Sequence, residues 1–233
     1  WCPPEAAFDA ADETGIYLQP ELCGRPYAEL KRVLESYGNH PSFCLLSFNN
    51  EAFSHNEETR KLLETARNTD SRHLYTCTSH PVSLTCTDDF FVSAWGSEKQ
   101  KSWPFSKRIV GITWGGGDVV TSSRFNLAVP ETVSDFHREI SEISAPVLAH
   151  EMGQWAMFPD LSETTVYNGG VLKNTNYERI GQAIAERGLQ PYVTDFAIAS
   201  GKFSALLYKE EIESVMRTPS YGGYQLLGLN DYQ

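Results

Sequence analysis

Pro41-Ser-Phe-Cys-Leu-Leu-Ser-Phe-Asn-Asn-Glu51 is the stretch on which the reading of the chain turns. Phe43 to Phe48 form a short apolar run directly after the turn-forming Gly38-Asn39-His40-Pro41. An apolar run of this length between turn signals predicts a strand buried on both faces, as in a parallel sheet. The run stops on Asn49, Asn50 and Glu51, two amides and a carboxylate at the carboxyl end of the strand, where parallel sheets carry their chemistry. A turn at Asn49-Asn50 with Glu51 capping the next helix is the structural alternative. A second run ends the same way: Pro146-Val-Leu-Ala-His-Glu151-Met-Gly-Gln-Trp155 closes on His150 and Glu151, then a glycine and an aromatic. Two carboxylates at the ends of two buried strands make a constellation, and it favours chemistry over capping.

Outward from that stretch, helix and strand signals alternate. On the amino-terminal side, residues 5–13 are alanine-rich with apolar positions at helical spacing after Pro3-Pro4, and Thr14-Gly15 ends the helix. Residues 16–21 predict a short strand stopped by proline, and 27–37 a helix with Leu30, Val33, Leu34 and Tyr37 on one face. On the other side, 57–67 predict a helix burying Leu62, Leu63 and Ala66, followed by strands over 73–78 and 89–95. Residues 96–130 are the least regular part, a length that in compact domains usually marks a functional or a mobile loop. Its Gly115-Gly-Gly-Asp118 lacks the Gly-Lys-Ser/Thr of a phosphate loop. A helix over 130–143 leads into the strand 146–151. Helices follow over 177–187, ended by Gly188, and over 193–216, with Phe196, Ala199, Phe203, Leu206, Leu207, Ile212 and Val215 on one face. A last strand over 221–229 ends on Asn230-Asp231. The alternation predicts a parallel sheet with helices outside it. Six strands, ending near Glu21, Glu51, Ser79, Trp95, Glu151 and Asp231, stand against the eight of a closed barrel.

Composition narrows the partners. A net charge of −11 over 233 residues argues against nucleic acid, whose phosphates would repel the chain. No run of 18 apolar residues exists, so no membrane span is expected. The length suits one large domain, and α/β barrels reach it undivided. The chain opens on Trp1-Cys2-Pro3-Pro4 with no charged or apolar leader, and is expected to be an internal piece of a longer protein. Five cysteines without a CxxC pair suggest neither a disulfide framework nor a zinc site, and Cys44 and Cys77 are expected as small buried apolar residues. The five tryptophans serve either a large core or the stacking of sugar rings.

Four segments resemble the catalytic (β/α)8 TIM-barrel domain of glycoside hydrolase family 2, the group of β-galactosidases, β-glucuronidases and β-mannosidases. Residues 3–21, from Pro3-Pro-Glu-Ala-Ala-Phe to Leu18-Gln-Pro-Glu21, resemble the family's third strand and the helix before it. Asn39-His-Pro-Ser-Phe with Asn50-Glu51 resembles its fourth, Pro146-Val-Leu-Ala-His-Glu151-Met-Gly153 its seventh, and Gly222-Gly-Tyr-Gln-Leu-Leu-Gly-Leu-Asn-Asp231 its eighth. The family commonly has Gly-Asn-Glu where this chain has Asn49-Asn50-Glu51, and Ser where it has His150, which marks a divergent subgroup. The resemblance implies a fragment running from about strand 3 to strand 8, with the first two strands and β-sandwich domains of the same chain upstream. A six-strand piece on its own would expose open sheet edges.

The resemblance further implies a retaining exo-β-glycosidase acting on a carbohydrate substrate with two glutamates and with neither cofactor nor metal. A periplasmic or secreted location and a homo-oligomer are consistent with the family. Retention needs two carboxyls about 5–5.5 Å apart. Glu51 is expected as acid/base and Glu151 as nucleophile, with Asn50 bonding the sugar 2-hydroxyl. His150 either orients Glu151, contacts sugar, or is a core histidine. Trp95 and Trp155 are candidates for the sugar platform or for barrel packing. Trp114 and Arg124 are candidate pocket residues of the long loop, and Glu21 and Asp231 candidate hydroxyl binders. His80 and Tyr208 are weaker candidates. An endo-acting retaining glycanase, a non-catalytic carbohydrate-binding barrel and a metal hydrolase using His150, Glu151 and His80 are the competing readings.

Overall fold

The computed structural model describes residues 2–23, 26–49, 57–77, 88–93, 131–133, 135–137, 145–153, 155, 157–167, 170–171, 173–219 and 221–226. Its elements follow the expected order: α1 (Glu5–Thr14), α2 (Pro26–Tyr37), β1 (Leu45–Ser47), α3 (Glu57–Thr69), β2 (Leu74–Thr76), β3 (Phe91–Ser93), β4 (Val147–Met152), α4 (Thr175–Glu186), α5 (Val193–Met216) and β5 (Tyr221–Leu226). Short 3-10 turns at Leu161–Tyr167 and Gln190–Tyr192 had no periodic signal in the sequence. Gly15 caps α1 in the left-handed region at φ 75°, a conformation open to glycine without a Cβ penalty. Of the helix expected over 130–143, residues 131–133 and 135–136 are not helical, and most of the rest lies outside the described residues.

Among the described residues all strand pairing is parallel. β1 pairs with β2, and β3, β4 and β5 form a second sheet in that order. Among the described residues there are these two small sheets and no closed barrel. Side chains and single bridges continue the series where the ladders stop. Leu18 and Glu21 bridge Phe43 and Ser47 beside β1. Asp89 donates its N–H to the Tyr75 carbonyl and accepts the Tyr75 N–H on its carboxylate at 2.9 Å, tying the approach to β3 onto β2. The expected strand over 16–21 is only these two bridges, because Pro20 has no N–H to donate and offers just its carbonyl, which accepts from Ser47 N.

The main core lies between α1, α2, α3 and the β1–β2 sheet. Phe8, Leu46, Ala66 and Tyr75 are wholly buried there. Phe8 stacks on Tyr37 with ring centroids 4.6 Å apart. Fully burying a side chain the size of Phe8 or Leu46 contributes about 1.5–3 kcal/mol. A second cluster, Phe136, Ala149, Met152 and Val215, packs β4 against α5. Cys77 is buried as expected, whereas Cys44 is only half-buried.

Helix α5 corrects the expected face. Leu207 and Val215 are buried, but Phe203 and Leu206 are 54% and 56% exposed. The buried stripe is instead Ser204, Leu207, Glu210, Glu211, Ser214 and Val215. Apolar residues surround this helix on several sides, so apolar spacing does not choose a face. Polar partners outside the helix do, as described below. Among the described residues no helix is long and apolar enough to cross a membrane.

Candidate functional site

The carboxyl end of β4 is irregular where the sequence placed its chemistry. Ala149 pairs with Tyr224 and Met152 with Leu226, so β4 advances three residues while β5 advances two. The extra residue falls at His150-Glu151. Such bulges bend a strand and re-aim its side chains, and they are over-represented next to active sites.

His150 is buried and sits in a chain of polar contacts drawn from three segments. Its Nδ1 donates to Gln225 Oε1 of β5 at 2.8 Å. Gln225 Nε2 in turn donates to Gln19 Oε1 at 2.8 Å. On the other side of the ring, Nε2 lies 3.9 Å from Glu21 Oε1. Gln19 and Glu21 are two apart on an extended segment and share one side of it. The amide pair fixes the ring's orientation and leaves Nε2 facing the carboxylate. Glu21 also bridges Ser47, the last residue of β1, whose hydroxyl donates to the Asn49 carbonyl at 2.8 Å. Glu21 thus stands between the carboxyl ends of β1 and β4.

The chain leaving β4 is tied to α5. Gly153 has φ +83°, and a Cβ there would run into the Tyr208 ring, so any other residue would collide with the tyrosine. Its N–H donates to Glu211 Oε2 at 3.1 Å. Ser204 Oγ donates to the Trp155 carbonyl at 3.2 Å, and Phe158 N donates to Ser200 Oγ at 2.8 Å. Residues 200, 204 and 211 repeat at four and seven and share one helix face. That polar face is the one α5 buries.

Of the residues singled out in the sequence, the structure brings His150 and Glu21 together. It sets Trp155 half-buried on the tethered segment and places the Glu151 backbone in the bulge. Tyr208 is the ring against Gly153. Asn50, Glu51, His80, Trp95, Trp114, Arg124 and Asp231 lie outside the described residues. Gln19, Gln225, Ser204 and Glu211 were missed. The signal for Gln19 was its two-residue spacing from Glu21, whereas Glu211 lay off the helix face expected to be buried and carried no signal in the sequence. No protein-family model matches the chain, and no curated protein matches it.

Proposed function

We propose that this chain is part of a retaining exo-β-glycosidase whose barrel fragment runs from about the third to the eighth strand. Glu151 is the nucleophile and Glu51 the acid/base, with Asn50 bonding the sugar 2-hydroxyl. The supporting observation is the junction around Glu21. It bridges Ser47, a few residues before Asn50-Glu51, and lies 3.9 Å from His150, the residue before Glu151. Carboxyl ends of parallel strands meeting at one polar cluster are where α/β folds place their sites. Glu51 and Glu151, each close in sequence to a member of that junction, suit double displacement, in which one attacks the anomeric carbon and the other first protonates the leaving oxygen and then deprotonates water. The resemblance supplies the exo mode and the β-linked sugar.

The test is hydrolysis of a panel of nitrophenyl β-glycosides by the full-length protein. Glu51→Ala is expected to lose on the order of 10²–10⁴-fold in rate, and Glu151→Ala to fall to background. Azide should restore Glu51→Ala with net retention and give Glu151→Ala an azide product of inverted configuration. Cleavage of a panel sugar by both variants at the wild-type rate would sink the reading.

A further inference from the structure

Glu211 is 3% exposed on α5, and its carboxylate accepts a backbone N–H from the chain leaving β4. Its neighbour Glu210 is also buried and is paired with Arg217 at 2.7 Å, an ordinary structural ion pair. Burying a carboxylate is costly unless it is well bonded. A charge-assisted bond from a backbone amide is among the stronger ways to hold one. The amide chosen here, Gly153, lies two residues beyond Glu151, at the end of a bulge. A bulge interrupts the ladder that would otherwise fix the backbone, and Gly153 itself occupies the left-handed region. The backbone is thus held from outside the sheet at the point where the sheet holds it least.

We propose that Glu211 is a positioning residue. Through the Gly153 N–H it fixes the turn that carries Glu151 on one side and Trp155 on the other. Ser204, on the same helix face, fixes the Trp155 carbonyl one step further along. Glu211 touches no reacting atom. Its part is to keep the bulged backbone in one geometry, since a displacement of about 1 Å at a reacting group can cost on the order of 10²-fold in rate. The catalytic half of this inference rests on Glu151 being the nucleophile, while the backbone half does not.

The experiment uses the full-length protein and three substitutions, Glu211→Ala, Glu211→Asp and Glu211→Gln. Amide hydrogen exchange over 150–158 is measured beside kcat and KM on the nitrophenyl glycoside that the wild type cleaves. Glu211→Ala should exchange Gly153 at least about tenfold faster and lower kcat on the order of 10²-fold with KM little changed. Glu211→Gln retains an acceptor oxygen and should recover most of both. Glu211→Asp keeps the charge but is one methylene short, and should fall between them even if the alanine variant does not fold. Wild-type exchange at Gly153 in Glu211→Ala or Glu211→Asp would overturn the proposal. So would faster exchange spread evenly over the protein, since that is a loss of stability and not of position. If the wild type cleaves no glycoside but Gly153 alone is released, the glycosidase reading falls and the positioning role stands.

Discussion

At the amino end of β2, polar groups are met within the turn itself and by the approach to the adjoining strand, whereas at the carboxyl end of β4 they reach further across the fold. Before β2, Arg72 clasps Asp70 through two nitrogens, at 2.9 and 2.6 Å, and Tyr75 donates its hydroxyl to the Asp70 carbonyl at 2.6 Å. Two further ties, Arg72 to Asn39 and His73 Nδ1 to the Phe43 carbonyl, fasten this turn to the neighbouring strand's approach. Beyond β4, the contacts join His150 to Gln225, Gln225 to Gln19, and Gly153 to Glu211, separations of 75, 206 and 58 residues. The first end carries a carboxylate with its cation beside it, the usual device for closing a turn. The second gathers amides, a histidine and carboxylates from four separate segments, which closes no turn. Long-range polar ties are costly in chain entropy. Their concentration at one end of a parallel sheet is what a site that must be held in place requires.

That contrast predicts different consequences for damage at the two ends. The largest effect is expected for Gly153→Ala, because the new Cβ meets the Tyr208 ring and the backbone is left-handed. Overpacking costs about 1–3 kcal/mol, with roughly 1 kcal/mol more for the conformation. Urea unfolding should show the loss, glycoside hydrolysis should fall with it, and Tyr208→Ala in the same chain should recover part of the stability. A fully stable and active Gly153→Ala would break the comparison. Gln225→Leu comes next. It removes the acceptor for the buried His150 Nδ1 and the donor for the half-buried Gln19 together, and leaving a buried group such as His150 unmet costs about 1–3 kcal/mol. Hydrolysis should drop further than the stability loss alone accounts for, and Gln225→Glu, which keeps an acceptor for His150, should be milder.

How much of this was legible follows from the same contrast. Helices α2 and α3 declared themselves, because Leu30, Val33, Leu34, Leu62, Leu63 and Ala66 recur at helical spacing and face one apolar core. The strands were legible from runs such as 43–48 and 146–151, and His150-Glu151 stood out because a polar pair ended an apolar run. The bulge at those residues was not legible, since register depends on β5, some 75 residues away. The buried face of α5 was misjudged for a related reason. Phe203 and Leu206 looked like core, but Ser200, Ser204 and Glu211 find partners on the chain leaving β4, and no pattern within the helix records where those partners are. Local periodicity fixes elements, and long-range polar pairing fixes which side of them is used.

The smallest predicted effect sharpens the comparison from the other end. Asp70→Asn removes the carboxylate that Arg72 grips, without touching anything near Glu151. Arg72 is more than half exposed, so water screens the pair and the loss should be about 0.5–1 kcal/mol. Hydrogen bonding from Arg72, first among the causes, holds the Asp70 carboxyl down to about 2. An unfolded aspartate titrates near 3.9. The folded state therefore binds the proton less readily, and the stabilisation is fully present above about pH 4 and fades as pH falls towards 2. Urea midpoints of wild type and Asp70→Asn should differ at pH 7 and converge through that window, while kcat/KM at pH 7 stays the same in both. An activity loss in Asp70→Asn at unchanged stability would mean that the amino end also serves the site, and the division of labour between the two ends would be wrong.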